Sequence, residues 1–535
     1  MPTFDFVIVG GGSAGCVLAD RLSASGRHTV LLIEAGGGDH HPYVRIPAGF
    51  TRMLNHPRYT WGSATGPEAG TLGRTIPIPR GRGLGGSSLI NGMIWIRGQR
   101  SDFNAWAQMG NPGWDYDSVE GYFRRAEQWE GRPSPARGAD GPLTISEFPD
   151  RPAACEAFRR AASTLGLPYL EDMNEELREG VGYVQQTRRG RFRHSATRSF
   201  LARARRRPNL TIWPNTVARA ILFEGRRASG VAVVRNNQDL HVTAGNSVIL
   251  SSGAIGSPHL LQLSGIGDAE SLGAAGVASR HHLPGVGANF QDHYAVRVAF
   301  RVKPRFSDNR KSRGIGLMIE AAKWLFAGQG LLTYSAGMLL GFARSGSALD
   351  EPDIQYSVAS VSYEGGRVGV LEHEAGVTCG MWQMRPQSRG QVRLASSDYR
   401  TPPLIQPNYL NAEIDRLKVV EGLKLARRWS MRPELDHFRL QELHPGKEVQ
   451  SDDQWLDYAR RNGSTVYHYA GTCGMGAHAM AVVDDRLRVR GIGGLRVVDA
   501  SVMPSLVSCN TQATTVMIAE KASDMILEDA SGPRP

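Results

Sequence analysis

Near the N-terminus, Gly10, Gly12 and Gly15 stand at the spacing of a phosphate-binding turn, within Gly10-Gly11-Gly12-Ser13-Ala14-Gly15. In such a G-x-G-x-x-G arrangement the first glycine allows the tight turn. The second lets backbone approach a pyrophosphate, and the third lets a helix pack closely on a strand. A helix opening behind the turn offers free N–H groups and the positive end of its dipole to phosphates. Glu34 follows 19 residues after Gly15, where a carboxylate can accept hydrogen bonds from ribose hydroxyls. The chemistry implied is the holding of a dinucleotide; the competing reading is a glycine-rich turn in a plain α/β protein. A second glycine-rich run extends from Gly81 to Met93. A nicotinamide enzyme has no need of it. A permanently held flavin would use its backbone donors for the diphosphate and the isoalloxazine, and a purely structural loop accounts for the residues equally well. A third cluster joins Asp499-Ala500-Ser501 to Asn510-Thr511-Gln512-Ala513, a strand end next to a second helix N-terminus.

The elements that must position these groups are legible around them. Phe4 to Val9 and Thr29 to Ile33 are short apolar runs that read as buried strands, with a helical pattern through Val17, Leu18 and Leu22 between them. Leu495 to Val498 reads as another strand, and a helix runs on through Val516, Met517, Ile518 and Ala519. Nucleotide-site elements thus stand at both ends, so the cofactor domain is expected to be discontinuous. The middle, about 301 to 461, mixes strands such as Gln391 to Leu394 with helices such as Asp415 to Arg428.

Composition narrows the class. With 535 residues, 41% apolar and 21% charged, the chain is a folded globular protein with an ample core. Its 63 glycines lack a G-X-Y period, which excludes collagen. The net charge of +11 rests mostly on arginine. The dense stretch Arg188 to Arg207 is expected to be a solvated face, since no nucleic-acid-binding module accompanies it. The five cysteines are dispersed and form no C-x-x-C, so neither a disulfide framework nor a metal site is expected. The N-terminus has no secretory signal pattern. Leu317 to Phe342 is apolar but is interrupted by Glu320, Lys323 and Gln329, which is too broken for a spanning helix. It reads either as a helix and loop near a substrate pocket or as a peripheral membrane contact through Trp324, Leu325 and Phe326. A cytoplasmic location is expected, with membrane association as the alternative.

Several long segments, in order, resemble the glucose–methanol–choline (GMC) oxidoreductases, most closely their choline-dehydrogenase-like bacterial branch. They are Gly10 to Gly15, Trp61-Gly62 through Thr65, and Gly81 to Asn91 continuing to Trp95 and Gly98. Further on come Gly253 to Pro258 with Ser264 to Gly267, Gly285 to His293, and Val497 to Pro504. The resemblance implies an α/β (α+β overall) fold, in which a Rossmann-like FAD-binding domain meets a substrate domain with a large, mostly antiparallel sheet flanked by helices. Residues 1–155, 195–300 and 462–535 are assigned to the first, and 156–194 and 301–461 to the second. It implies FAD held by Gly10, Gly12, Ser13, Ala14, Gly15, Glu34, Ala35, Trp61, Arg82, Gly85, Ser87, Asn91, Gly92, Met93, Ile94, Val217, Tyr467, Asp499, Ala500, Asn510, Thr511 and Gln512. Some relatives attach FAD covalently through a His just before the Asn of the Gly81 to Asn91 signature; Ile90 stands there, so non-covalent FAD is expected.

Tyr467-His468-Tyr469-Ala470-Gly471-Thr472-Cys473-Gly474-Met475-Gly476 resembles the family's active-site segment. The resemblance places His468 as catalytic base and Asn510 as its partner in oxidising an alcohol to a carbonyl. A neutral imidazole can accept a hydroxyl proton near neutral pH, and an amide N–H can support the developing alkoxide. The expected partners are an alcohol and an electron acceptor, either a quinone or other acceptor of a dehydrogenase or the O₂ of an oxidase. A non-redox lyase and a basic binding protein are the competing classes. Tyr467 and Tyr469 either shape the pocket mouth or, by strand alternation, point away from the His468 face. Phe326, Tyr334 and Met338 line an apolar pocket or belong to the core. The alcohol itself is not legible.

Overall fold

Residues 1–175, 178–366 and 368–531 are described by the computed structural model. The apolar run at the N-terminus forms strand β1 (Thr3–Val9), whose last four residues are buried. Helix α1 (Ser13–Ser23) follows, then β2 (Val30–Ile33), buried throughout. Near-continuous apolar runs of this kind suit parallel strands covered on both faces. The same sheet takes in β3 (Leu210–Trp213), β4 (Thr216–Glu224), β5 (Arg227–Arg235) and β6 (Gln238–Leu250) in the order β3-β2-β1-β6-β5-β4. Pairing is parallel from β3 through β6 and antiparallel from β6 to β4. The long β6 changes partner along its length. Its residues 238–243 pair with β5, and residues 248–250 run parallel to Leu495–Val497. Thus the chain's last strand joins the sheet of its first, with β6 between them.

The second sheet consists of β7 (Tyr294–Val302), β8 (Leu339–Ala343), β9 (Ile354–Ala359), β10 (Gly376–Gln383) and β11 (Arg439–His444), with Gly180–Tyr183 at its far edge. Its order is β11-β7-β10-β9-β8 and then Gly180–Tyr183, antiparallel at every step. The register sets Ala295 opposite Trp382, Arg297 opposite Gly380, and Ser357 opposite Gly380 from the other side. Side chains alternate across a strand, so these residues share one face. The intervening residues, Val296, Val298, Tyr356, Val358, Cys379 and Met381, are buried on the other. That face is covered by α2 (Glu413–Ser430), where Gly422 admits Met381 so closely that a Cβ would lie 1.9 Å from its Cε.

The C-terminal helix α3 (Gln512–Ser531) packs on α1, and Arg21 makes a bidentate ion pair with Glu520 at 2.8 and 2.9 Å. The division expected at residue 300 falls inside β7, and Ser464–Thr465 also pairs with β7. We propose the two-domain division with β7 and Ser464–Thr465 on the substrate side.

The apolar stretch after Leu317 is no spanning segment, and no described helix is long and apolar enough to cross a membrane. Trp324 is half-buried against Phe192, while Ile315, Met318 and Phe326 are 76%, 71% and 83% exposed. Tyr334 and Met338 lie in the core.

Candidate active site

A cleft opens at the carboxyl ends of β1 and β2, and the three glycines beside it differ in what a side chain would meet. Gly10 has φ +105°, and a Cβ there would lie 2.5 Å from the Ser251 carbonyl. At Gly15 a Cβ would lie 1.9 Å from the Gly10 carbonyl, so this residue permits the contact of α1 with the turn. At Gly12 no protein atom lies nearer than 3.8 Å, and the residue lines the cleft. Gly12 is also the N-cap of α1, with no side chain bonded to the helix end. Free first-turn N–H groups facing open space make a phosphate cradle. The residues present therefore fit a dinucleotide.

Glu34 does more than its spacing suggests. Its Oε2 accepts the Gly11 N–H at 2.9 Å, and Oε1 accepts those of Gly36 and Gly83 at 2.8 and 3.0 Å. One carboxylate ties together the first turn, the end of β2 and the second glycine run. Burial pushes its pKa up against the pull of the three amides. Asp499 plays a similar part, accepting from Gly253 N–H, the Ser257 hydroxyl and Ser501 N–H at 2.6–2.8 Å.

Gly10, Gly12, Ser13, Ala14, Glu34, Ala35, Trp61, Ser87, Val217, Tyr467, Asp499, Ala500, Thr511 and Gln512 all line the cleft. Asn91, Gly92, Met93, Ile94, His468 and Asn510 line an adjoining cavity of about 200 Å³. Ser87, Tyr467, Tyr469, Thr511 and Gln512 border both. Three expected contacts instead build the walls. Gly15 packs on Gly10, Arg82 lies over the Trp61 ring at 5.1 Å, and a Cβ at Gly85 would meet the Thr197 hydroxyl at 2.5 Å.

The Arg188 to Arg207 stretch is not simply a solvated face. Arg193 is buried, donates to Asn91 Oδ1 at 2.6 Å and to the Ser88 carbonyl, and is lowered to about 9 by burial. Arg198 and Arg207 pair with Asp39 and Asp20. Tertiary packing recruits these arginines because their stems can be buried while the guanidinium keeps its partners.

Around His468 a chain of hydrogen bonds determines where the protons sit. His293 Nε2 is 2.8 Å from the Met384 carbonyl, which only accepts, so this nitrogen carries the proton. His293 Nδ1 must then accept, and it does so from His468 Nδ1–H at 2.8 Å. His468 Nε2 is left unprotonated and accepts from Asn510 Nδ2 at 2.9 Å. Burial holds both imidazoles below their ordinary pKa, His293 at about 4, and the neighbouring His293 adds to the effect on His468. The Asp292 carboxylate accepts the His468 backbone N–H at 2.8 Å and the Tyr409 and Thr465 hydroxyls at 2.5 Å. The result is a neutral base with its lone pair at the cavity and its backbone anchored.

Strand alternation does not orient Tyr467 and Tyr469. Tyr467 has φ +70°, outside strand geometry, and both rings border the cleft and the cavity. Cys473 and Cys509 are buried, which raises their pKa well above the ordinary thiol value, so they are packing groups rather than thiolates. His293 had no assigned role in the sequence, although it ends the Gly285 to His293 segment. It is 175 residues from His468, and the antiparallel pairing of residues 464–470 with residues 291–295 brings them together.

Two family models, each described as GMC oxidoreductase, match residues 4–295 and 386–519. The chain is 39% identical over 531 residues to an oxygen-dependent choline dehydrogenase of Photobacterium profundum, covering 98% of this chain and 93% of that one. It is 40% identical over 533 residues to one from Pseudomonas aeruginosa, covering 98% and 94%. Among solved structures, pyridoxine 4-oxidase from Mesorbium loti superposes with a TM-score of 0.88 at 31% identity, covering 97% and 98%. A formate oxidase of Aspergillus oryzae RIB40 does so at 0.92 and 27%, covering 99% and 98%. On these matches, which span nearly its whole length, the chain belongs to the GMC oxidoreductase family.

Proposed function

We propose that this protein oxidises the CH–OH group of an alcohol to a carbonyl with FAD as cofactor, His468 acting as base and Asn510 as its partner. The cleft residues beside Gly12, Glu34 and Ala500 would hold the FAD, which supplies a hydride acceptor at flavin N5. The observation that carries the reading is the unprotonated His468 Nε2 facing the cavity, at the end of the chain from the Met384 carbonyl through His293. A substrate hydroxyl entering between His468 and Asn510 gives its proton to Nε2. The second amide N–H of Asn510 is free to donate to the developing alkoxide. The imidazolium that forms keeps its Nδ1–H on His293, so the ring does not turn. Ala295, Ala359 and Val466 add an apolar lining that limits water around the base.

The test is anaerobic mixing with a panel of alcohols. His468→Ala should retain flavin but reduce it about 10²–10⁴-fold more slowly; near-normal reduction would sink the assignment. Readmitting air then identifies the acceptor. Fast recolouring marks an oxidase, and slow recolouring marks a dehydrogenase that uses a quinone or similar acceptor. We further infer that the flavin is held without a covalent bond, since apolar, buried Ile90 precedes Asn91. Acid precipitation should leave the yellow colour in the supernatant; colour in the pellet contradicts this.

A further inference from the structure

Among the described residues, the cavity wall carries one cation and no anion. Among the described residues lining it, none is Asp, Glu or Lys, and Arg297 is the one arginine. Arg297 projects from β7 on the face shared with Ala295, opposite Gly380 of β10. Gly380 leaves it room: a Cβ there would lie 3.5 Å from Arg297 Cγ. The side chain is half-buried, and among the described residues no carboxylate forms an ion pair with it. The titratable groups that feel its charge are the phenols of Tyr363, Tyr458 and Tyr467. Flanking Gly380 on β10, Thr378 Oγ1 and Trp382 Nε1 are buried polar atoms without a protein partner. The Trp382 ring also stands 6.3 Å from that of His468. Base, indole and guanidinium therefore follow one another along a single wall.

Taking a guanidinium out of water is costly unless an anion pairs with it. Here the described residues supply none, and the group faces the space a substrate must fill. We propose that the substrate is an alcohol bearing an anionic group, and that Arg297 binds this group while the carbinol lies at His468. The assignment rests on the alcohol-oxidation reading. Arg297 lies two residues beyond Ala295, about 7 Å along the strand, so the anion is several bonds from the carbinol. The same wall disfavours a quaternary ammonium alcohol of the kind named for the choline dehydrogenases. Aromatic rings such as Trp382 and Tyr363 attract cations weakly, whereas an unpaired guanidinium in a low-dielectric cavity repels them. Arginine also matches the planar, bidentate geometry of a carboxylate or phosphate.

The experiment compares holoenzyme flavin reduction by matched alcohols of four to eight carbons. The series are ω-hydroxycarboxylates, ω-hydroxyalkyl phosphates, neutral diols and choline. An anionic series should be preferred over the neutral diols. In Arg297→Met the anionic-to-neutral ratio of second-order rate constants should fall about 10²-fold, with partial recovery in Arg297→Lys. A wild-type preference for neutral diols or choline overturns the proposal. So does a ratio that moves less than about threefold in Arg297→Met protein of normal flavin content. Binding of adipate, read as a flavin spectral shift, separates this proposal from the oxidation reading. If no alcohol bleaches the flavin but adipate binds only when Arg297 is present, the anion site stands and the oxidation reading falls. If adipate binding is absent or indifferent to Arg297→Met, the anion site falls.

Discussion

At the scale of single residues, burial keeps His468 neutral and free to accept a proton, and among the described residues no adjacent carboxylate acts on its ring. Asp292 holds its backbone, not its ring, and the ring nitrogen away from the cavity is bonded to a second neutral imidazole. Desolvation disfavours the charged form, so the imidazole pKa moves down. The rate of flavin reduction is lost where His468 is protonated, and a lowered pKa moves that loss to more acidic pH. The acid limb of a pH profile of anaerobic flavin reduction should therefore lie below about 6.5, the ordinary imidazole value. A limb above pH 7 would show that the reacting base is not held as this geometry holds it.

At the scale of elements, the first turn shows how one motif divides its labour. Gly15 faces protein, with Gly10's carbonyl 1.9 Å from any added Cβ, whereas Gly12 faces the open cleft. Gly15→Ala should destabilise even the apoprotein, by about 1–3 kcal/mol, since overpacking forces backbone to shift. Gly12→Ala should leave the apoprotein's melting temperature nearly unchanged and lower its flavin content. Thermal denaturation of apoprotein and the flavin-to-protein ratio of holoprotein measure the two separately. Equal destabilisation by both substitutions would refute the division.

At the scale of the whole molecule, the stretch after the second glycine run is anchored by a buried ionic cluster. Glu127 accepts from Arg97 at 2.7 and 2.9 Å, from Arg137 at 2.9 Å and from the Trp95 indole at 2.6 Å. Arg137 reaches on to Asp172 and Gln185, close to the edge strand of the second sheet. The network thus joins the chain behind Asn91 to the sheet that walls the substrate cavity. The two guanidinium groups overcome the desolvation of Glu127 and hold its pKa at about 2. Its contribution is complete above the unfolded carboxylate value and is lost as pH falls from about 4.5 toward about 2. Glu127→Gln leaves buried Arg97 without its counter-ion, while Arg137 keeps Asp172, and should cost about 3–5 kcal/mol in denaturant unfolding. A loss under about 1 kcal/mol would show that the cluster is not a structural tie.

The cofactor half was legible in the sequence because its determinants are local. Gly10, Gly12 and Gly15 owe their roles to a few dihedrals and a close approach within one turn, and β1 and β2 to short apolar runs beside it. The same locality made the reading incomplete at Glu34, whose carboxylate also bonds Gly83, 49 residues away. The substrate half was not legible. His293 reaches the site through its bond to His468, and Arg297 meets the cavity through strand register, so a shift of one residue in β7 would turn Arg297 to the other face. Gly380, which makes room for it, reads in sequence as an ordinary glycine. Local spacing and resemblance were enough to indicate an FAD-binding turn, a base and a family. Which proton the base carries and which charge the pocket offers were decided only by tertiary structure, because both depend on pairings between residues far apart in the chain.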